Sequence, residues 1–155
     1  MKLRIVALGQ RMPAWVVGGF DEYARRLPRE FALELIELKP GARGHGRSPA
    51  QILAAEAERI AAATRGATVI ALDEHGQSWS TAQFAAKLRG WSNRGQPVAF
   101  VLGSADGLAA VVKHNADVMM ALSALTLPHG LARVVLIEQL YRAASLLQGH
   151  PYHRE

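Results

Sequence analysis

Segments typical of β-strands alternate with segments typical of helices along nearly the whole chain, and this alternation limits the possible folds most strongly. Short apolar runs predict strands over 2–8, 31–38, 68–72, 98–102 and 118–122. Between them, apolar residues spaced three and four apart predict helices. Such alternation favours right-handed crossovers and a parallel sheet with helices on both faces. The sequence therefore predicts an α/β fold with a central, largely parallel sheet flanked by helices.

Capping residues indicate where two of the predicted helices begin. Ser48 precedes Pro49, and Gln51 stands where a capping box places Glu or Gln, so a helix should begin at this proline. Ser80 should cap the next helix. Between that helix and the third strand, the polar, glycine-containing stretch 73–77 predicts a turn.

The length and composition are those of one compact domain, which we expect to span 1–155. Half of the residues are apolar and 20% are charged. No apolar run approaches the roughly 20 residues of a membrane span, and the run at the start is too short for a signal peptide. We therefore expect a cytoplasmic protein with no membrane partner. Because cysteine is absent, disulfides, thiolate metal sites and cysteine nucleophiles are excluded.

The positive charge indicates an anionic partner, with nucleic acid as the leading candidate. The formal net charge is +5 and the isoelectric point is near 10.1. Glycines and basic residues alternate over 39–47, a composition that cannot pack and should be mobile. Its spaced charges suit phosphate contacts. The alternative is that this charge only solvates the surface.

The last predicted helix, from about 130 to 147, has almost no polar face. Valine, isoleucine, leucine and alanine occupy most of its positions. One interpretation is a core helix packed on the sheet. A second, which we favour, is a helix that packs on the sheet and also on a second copy of the chain, because a small monomer could hardly bury it all. The sequence thus predicts a homodimer.

Two segments that follow predicted strands could form a ligand site. Residues 103–107 form a glycine loop, where backbone N–H groups can approach a ligand at the edge of a parallel sheet. Residues 122–129 are mostly apolar, and their few hydroxyls suit an adenine ring and a sulfonium chain. An ordinary turn and a buried crossover are the alternatives. No phosphate-binding or metal-binding signature is present, and we expect no metal.

The final six residues, 150–155, combine aromatic, imidazole and guanidinium groups. Such groups stack on bases and pair with phosphates, so the tail could contact RNA. The alternative is a frayed terminus.

Taken together, these segments resemble the bacterial ribosomal large-subunit pseudouridine N3-methyltransferase family, a SPOUT-class group. The match covers essentially the whole chain. The matching segments are Met1-Lys2-Leu3, Met12-Pro13-Ala14-Trp15-Val16, Glu22-Tyr23-Ala24-Arg25-Arg26, Leu72-Asp73, the Gly103 loop, Leu122 to His129, Arg133-Val134-Val135, Tyr141-Arg142-Ala143 and His150 to Glu155.

The resemblance implies a trefoil knot, whereas periodicity alone predicts a simple Rossmann-like sheet. It implies S-adenosylmethionine as cofactor and methylation of N3 of a pseudouridine in large-subunit (23S) rRNA, on the assembled ribosome. The implied cofactor-binding residues are Leu72, Gly103, Leu122, Ser123, Ala124, Leu125, Thr126 and Leu127. Members of the family often have a second glycine where this chain has Ser104.

The same resemblance makes several residues candidates for catalysis. Removal of the N3 proton needs a base, for which His129 and His153 are equal candidates. Arg142 and Arg154 could hold phosphate or the developing carbonyl charge, although Arg142 could instead pair with Glu138, and Tyr152 could stack on a base. Arg133 could likewise hold phosphate or this charge. Two other functions stay open: methylation of another rRNA or tRNA site, and a non-catalytic ribosome-binding or RNA-binding module.

Overall fold

The computed structural model describes residues 1–42, 44 and 46–152. The predictions that fall on Arg43, His45, His153 and Arg154 lie outside these residues. The elements in chain order are β1 (Lys2–Leu8), α1 (Ala14–Ala24), β2 (Ala32–Leu38), α2 (Pro49–Ala63), β3 (Thr68–Ser78), α3 (Thr81–Arg94), β4 (Val98–Leu102), α4 (Ala110–Asn115), β5 (Val118–Ala121) and α5 (His129–Leu147).

The five strands form one parallel sheet in the order β2-β1-β4-β3-β5, so the predicted fold class is confirmed. All of β4 is buried, and its side chains alternate between two apolar clusters. Phe100 packs in the cluster that includes Phe84 of α3 and Leu136 of α5. Val101 packs in the cluster that includes Ile60 of α2 and Val112 of α4. Helices thus cover both faces of the sheet.

The capping signals at α2 and α3 are confirmed. The Ser48 hydroxyl accepts the Gln51 N–H at 3.2 Å, and the Gln51 side chain accepts the Ser48 N–H at 2.9 Å. Ser80 forms the equivalent box with Gln83. These reciprocal bonds satisfy N–H groups that a helix leaves without partners in its first turn. They explain why both helices begin where the sequence predicts.

The predicted turn over 73–77 is wrong, because β3 continues to Ser78. Leu72 and Gln77 both pair with Met120 of β5, so the residues between them form a bulge. Gly76 allows this close approach, since a side-chain carbon there would lie 2.7 Å from the backbone of β5. Polar residues and glycine have low strand propensity, and here pairing with β5 overrides it.

The C-terminal helix α5 packs against α1 and α3 on one face of the sheet. Every residue from His129 to Leu147 is buried or half-buried within one chain. Arg133 of α5 is only 2% exposed. Its guanidinium donates to Glu37 at 2.6 Å and to the Gly9 carbonyl at 2.8 Å. This arginine therefore ties α5 to the ends of β1 and β2. None of the described helices is both long and apolar enough to cross a membrane.

Candidate active site

Three neighbouring strands end at the same edge of the sheet and border a cleft. β4, β3 and β5 are adjacent and parallel, so their carboxyl ends meet. The cleft has a volume of about 820 Å³. Its walls come from the bulge of β3, the loop after β4, the segment between β5 and α5, and the first turn of α5. Ligands of open α/β sheets bind at this edge.

The glycine loop, residues 103–107, is a tight turn on one wall of the cleft. The Gly107 N–H donates to the Ser104 carbonyl at 2.9 Å, and Gly107 has a φ of +78°. A side-chain carbon at Gly103 would lie 2.4 Å from the Gly107 carbonyl oxygen. Gly103 therefore lets the two ends of the loop approach, and Gly107 supplies the left-handed conformation.

The segment 122–128 forms the facing wall and is held by side-chain hydrogen bonds. The Ser123 hydroxyl accepts the Leu125 N–H at 2.9 Å. The Thr126 hydroxyl donates to Glu74 of the β3 bulge at 2.6 Å. Leu125 is 76% exposed although it borders the cleft. An exposed leucine beside fixed backbone offers apolar surface that a bound ligand would cover.

The structure brings together nearly all of the residues predicted to bind the cofactor. Of the eight predicted residues, Gly103 and six others line the cleft. Ala124 is exposed and lies outside that lining. The six are Leu72, Leu122, Ser123, Leu125, Thr126 and Leu127.

Several polar residues of the cleft were not predicted. Asp73, Glu74 and His75 of the β3 bulge line it, as does Lys113 of α4. His75 Nδ1 lies 3.4 Å from an Asp73 oxygen. The sequence carried a signal for these residues, because polar side chains directly after a buried parallel strand lie at the ligand-binding edge of the sheet. Because 73–77 was interpreted as a turn, these residues were not predicted to line the cleft.

The predicted catalytic residues separate into two places. His129 lines the cleft at the start of α5. Arg142 and Tyr152 lie near the other end of α5 and outside the lining of the cleft. Arg142 Nη2 contacts Glu138 Oε1 at 2.7 Å, so the pairing considered from the sequence is present. Arg142 follows His129 by thirteen positions in the helix, which is about 20 Å along the axis.

Tyr152 packs back onto α5 of its own chain. Its hydroxyl donates to Glu138 at 3.0 Å, and its ring centroid lies 4.5 Å from that of Tyr141. The Arg142 guanidinium lies 4.8 Å from the same ring. Burial, together with the hydrogen bond to the Glu138 carboxylate and its charge, raises the pKa of Tyr152 to about 12.

We expect the Tyr152 hydroxyl to titrate near pH 12 in the folded protein, against 10.0 for an ordinary tyrosine. Because the folded pKa is the higher one, the packing of Tyr152 contributes its full stability below pH 10 and loses it as the pH rises through 12. Ultraviolet absorbance of the phenolate measures this step. Tyr152→Phe should remove the step, and Glu138→Gln should lower its pKa. A Tyr152 that titrates at its ordinary value would contradict this packing.

Among residues 1–42, 44 and 46–152, no group of three or more His, Asp or Glu side chains is placed to hold a metal ion.

The fold and the cleft define the class of protein: a parallel α/β protein with a ligand cleft beyond the carboxyl ends of its strands. A family model described as "Predicted SPOUT methyltransferase" matches residues 1–153. The chain belongs to this SPOUT methyltransferase family, and the trefoil knot expected from the resemblance fits that membership.

Curated relatives match over the full length of the chain. The proteins called "Ribosomal RNA large subunit methyltransferase H" of Burkholderia multivorans and of Burkholderia cenocepacia (strain J2315) are each 53% identical to it over 155 residues, which is 99% of both chains. The family and the methyltransferase activity predicted from the sequence are confirmed.

Solved structures share the fold at low sequence identity. A probable methylase family protein from Haemophilus influenzae has a TM-score of 0.59 and 16% identity, and the match covers 99% of this chain and 70% of that one. A probable methyltransferase from Bordetella pertussis has a TM-score of 0.57 and 18% identity, covering 92% and 95%. These likenesses support the fold.

Proposed function

We propose that the whole chain works as one methyltransferase domain that uses S-adenosylmethionine to methylate N3 of a pseudouridine in 23S rRNA of the assembled ribosome. The observation that carries the proposal is the convergence of Leu72, the glycine loop and the segment 122–127 on one cleft. Full-length relatives named for large-subunit rRNA methylation support the substrate. A substrate on ribosomes implies a cytoplasmic protein.

The cleft fits this cofactor by its chemistry. Leu72, Leu122 and Leu127 offer apolar surface for an adenine ring, and the Ser123 and Thr126 side chains add hydroxyls. The tight glycine loop leaves backbone free of side chains at Gly103. Carboxylates at the β3 bulge suit a positively charged ligand. When bound, the cofactor supplies an electrophilic methyl group.

The residues of the chain must orient the uracil ring and remove its N3 proton. His129 borders the cleft and is one candidate base; His153 in the tail is the other. Arg154 could stabilise the negative charge that develops on the carbonyl oxygens as the proton leaves, with Tyr152 stacked on a base. No metal is required for this proton transfer.

We further propose that the chain is a homodimer in which the tail of one subunit completes the cleft of the other. Tyr152 packs on α5 at Glu138 and Arg142, which follow His129 by about 14 and 20 Å along the helix axis. The anchored Tyr152 therefore lies away from the end of α5 that lines the cleft, which supports a tail that serves the cleft of a second chain. Trp15 and Val17 of α1 are 59% and 48% exposed and offer apolar surface beside α5 for the contact between subunits.

Calorimetry tests the use of the cofactor. S-adenosylmethionine and S-adenosylhomocysteine should both bind the purified protein, with one site per chain. Absence of binding at millimolar concentration would contradict the enzyme and favour a non-catalytic RNA-binding module. Mass spectrometry of rRNA nucleosides from a deletion strain tests the substrate, because retention of methylpseudouridine would favour another rRNA or tRNA site.

The basic segment 39–47 is proposed to contact rRNA phosphates. We expect Arg43→Ala together with Arg47→Ala to weaken ribosome binding more at low salt than at high salt, and to leave cofactor affinity unchanged. Each lost phosphate contact should reduce the slope of log affinity against log salt by about 0.7 to 0.9. Arg65→Ala, which changes an exposed arginine at the far end of α2, is the control. Equal ribosome affinity at every salt concentration would indicate a solvated loop.

A further inference from the structure

Glu56 of α2 is a buried carboxylate that lies outside the lining of the cleft. Its exposed fraction is 2%. No salt bridge joins it to a basic side chain among the residues that the structure describes. A buried charge is costly unless hydrogen bonds compensate it, so the two contacts of this carboxylate matter.

The two oxygens of Glu56 contact two different loops. Oε2 accepts the Gly41 N–H at 2.8 Å, within the basic segment 39–47. Oε1 accepts the Ser104 hydroxyl at 3.1 Å, within the glycine loop. One side chain therefore joins the segment proposed to contact rRNA to the loop proposed to hold the cofactor.

The basic segment is fixed to α2 at its beginning by further contacts. Arg59, one turn after Glu56, donates to the Lys39 carbonyl at 2.6 Å. Gly41 is buried, and a side-chain carbon there would lie 2.6 Å from the Ile52 side chain. Residues 39–41 thus lie in a defined place on α2, and the same helix contacts the glycine loop through Glu56.

The Ser104 side chain is the other half of the link. Ser104 lines the cleft, and its hydroxyl donates to Glu56, which lies outside the cleft lining. The serine in place of a second glycine therefore provides the donor that joins the glycine loop to α2.

We propose that Glu56 is a positioning residue that couples the cofactor cleft to the base of the basic segment. Through Ser104 it holds the glycine loop in the conformation that binds the cofactor. Through Gly41 it makes the placement of residues 39–41, the base of the basic segment, depend on whether the bound ligand orders the glycine loop. Cofactor and ribosome binding should then strengthen each other by the same factor, as linkage requires. This inference rests on the proposed function.

Calorimetry with S-adenosylhomocysteine tests the first half. Glu56→Leu and Ser104→Ala should each weaken binding by about fivefold to tenfold, since a hydrogen bond to a charged group is lost. Glu56→Gln should stay within about twofold of wild type, because its amide can accept from Gly41 and donate to the Ser104 oxygen. Glu58→Gln, at an exposed acid on the same helix, is the control.

Ribosome binding with and without S-adenosylhomocysteine tests the coupling. If Glu56 and Ser104 had only a structural role, their substitution would leave the coupling factor unchanged. We expect the ligand to tighten ribosome binding of the wild-type protein about fivefold, a typical coupling between sites. The factor should fall towards one in Ser104→Ala and stay near wild type in Glu56→Gln and Glu58→Gln. Thermal unfolding of each variant identifies any that does not fold, and Ser104→Ala removes only one hydroxyl.

Unchanged ligand affinity in Ser104→Ala, or a wild-type coupling factor of one, would overturn the inference. These results differ from a failure of the proposed function, in which the wild-type protein itself would bind neither S-adenosylhomocysteine nor ribosomes.

Discussion

Gly103→Ala is expected to weaken binding of S-adenosylmethionine by about 5- to 150-fold and to reduce methyl transfer in parallel. The added carbon would lie 2.4 Å from the Gly107 carbonyl oxygen, and backbone atoms cannot yield as a flexible side chain can. The glycine loop must therefore open, at a cost of about 1–3 kcal/mol, the usual cost of overpacking. Calorimetry on the purified variant measures the cofactor affinity.

Gly90→Ala is the matched control for this substitution. Gly90 lies within α3, and a side-chain carbon there meets nothing within 4 Å. Alanine is favoured over glycine in a helix by about 1 kcal/mol, so this variant should be slightly more stable and bind the cofactor like wild type. If both variants bind equally well, the glycine loop does not form the cofactor site.

Deletion of residues 152–155 is expected to reduce methyl transfer by about 10²- to 10⁴-fold, the usual contribution of a positioned acid or base. The deletion removes Tyr152 and the tail residues proposed to act on the RNA base. It should leave the fold, the dimer and most of the cofactor affinity intact. The lost packing of Tyr152 on Tyr141 should cost about 1 kcal/mol of stability. Activity on ribosomes and calorimetry with the cofactor separate the two effects.

Heterodimers test whether the tail acts across the subunit interface. A tail-deleted chain mixed with a full-length Gly103→Trp chain pairs one intact cleft with one intact tail. Activity should return if the tail of one chain serves the cleft of the other, while each homodimer stays inactive. Absence of activity despite confirmed heterodimers would mean that each tail serves its own subunit.

Local signals were enough to predict the positions of most elements. The serine caps at Ser48 and Ser80 fixed the starts of α2 and α3, and the fully apolar run of β4 indicated a central parallel strand. These features depend on residues a few positions apart. The identity of the cleft residues came instead from the resemblance of whole segments to a family.

What the sequence left unpredicted depends on contacts between distant residues. The β3 bulge is polar and contains glycine, and only pairing with β5 makes it a strand. Arg133 could have been a phosphate ligand, but it is buried against Glu37, 96 positions away. Glu56 and Ser104 are 48 positions apart, and their hydrogen bond has no local signature. The packing of Tyr152 onto α5 likewise depends on how the chain turns after the helix.

The most direct test of the central claim is methyl transfer from labelled S-adenosylmethionine to ribosomes of a bacterium that lacks the matching methyltransferase. Nucleosides of the 23S rRNA are then separated and identified by mass spectrometry. The account predicts label in N3-methylpseudouridine, with intact ribosomes methylated far faster than isolated subunits or naked rRNA. An absence of label in 23S rRNA from a protein that binds the cofactor would contradict the proposed substrate, and equal rates on naked rRNA would contradict the requirement for an assembled ribosome.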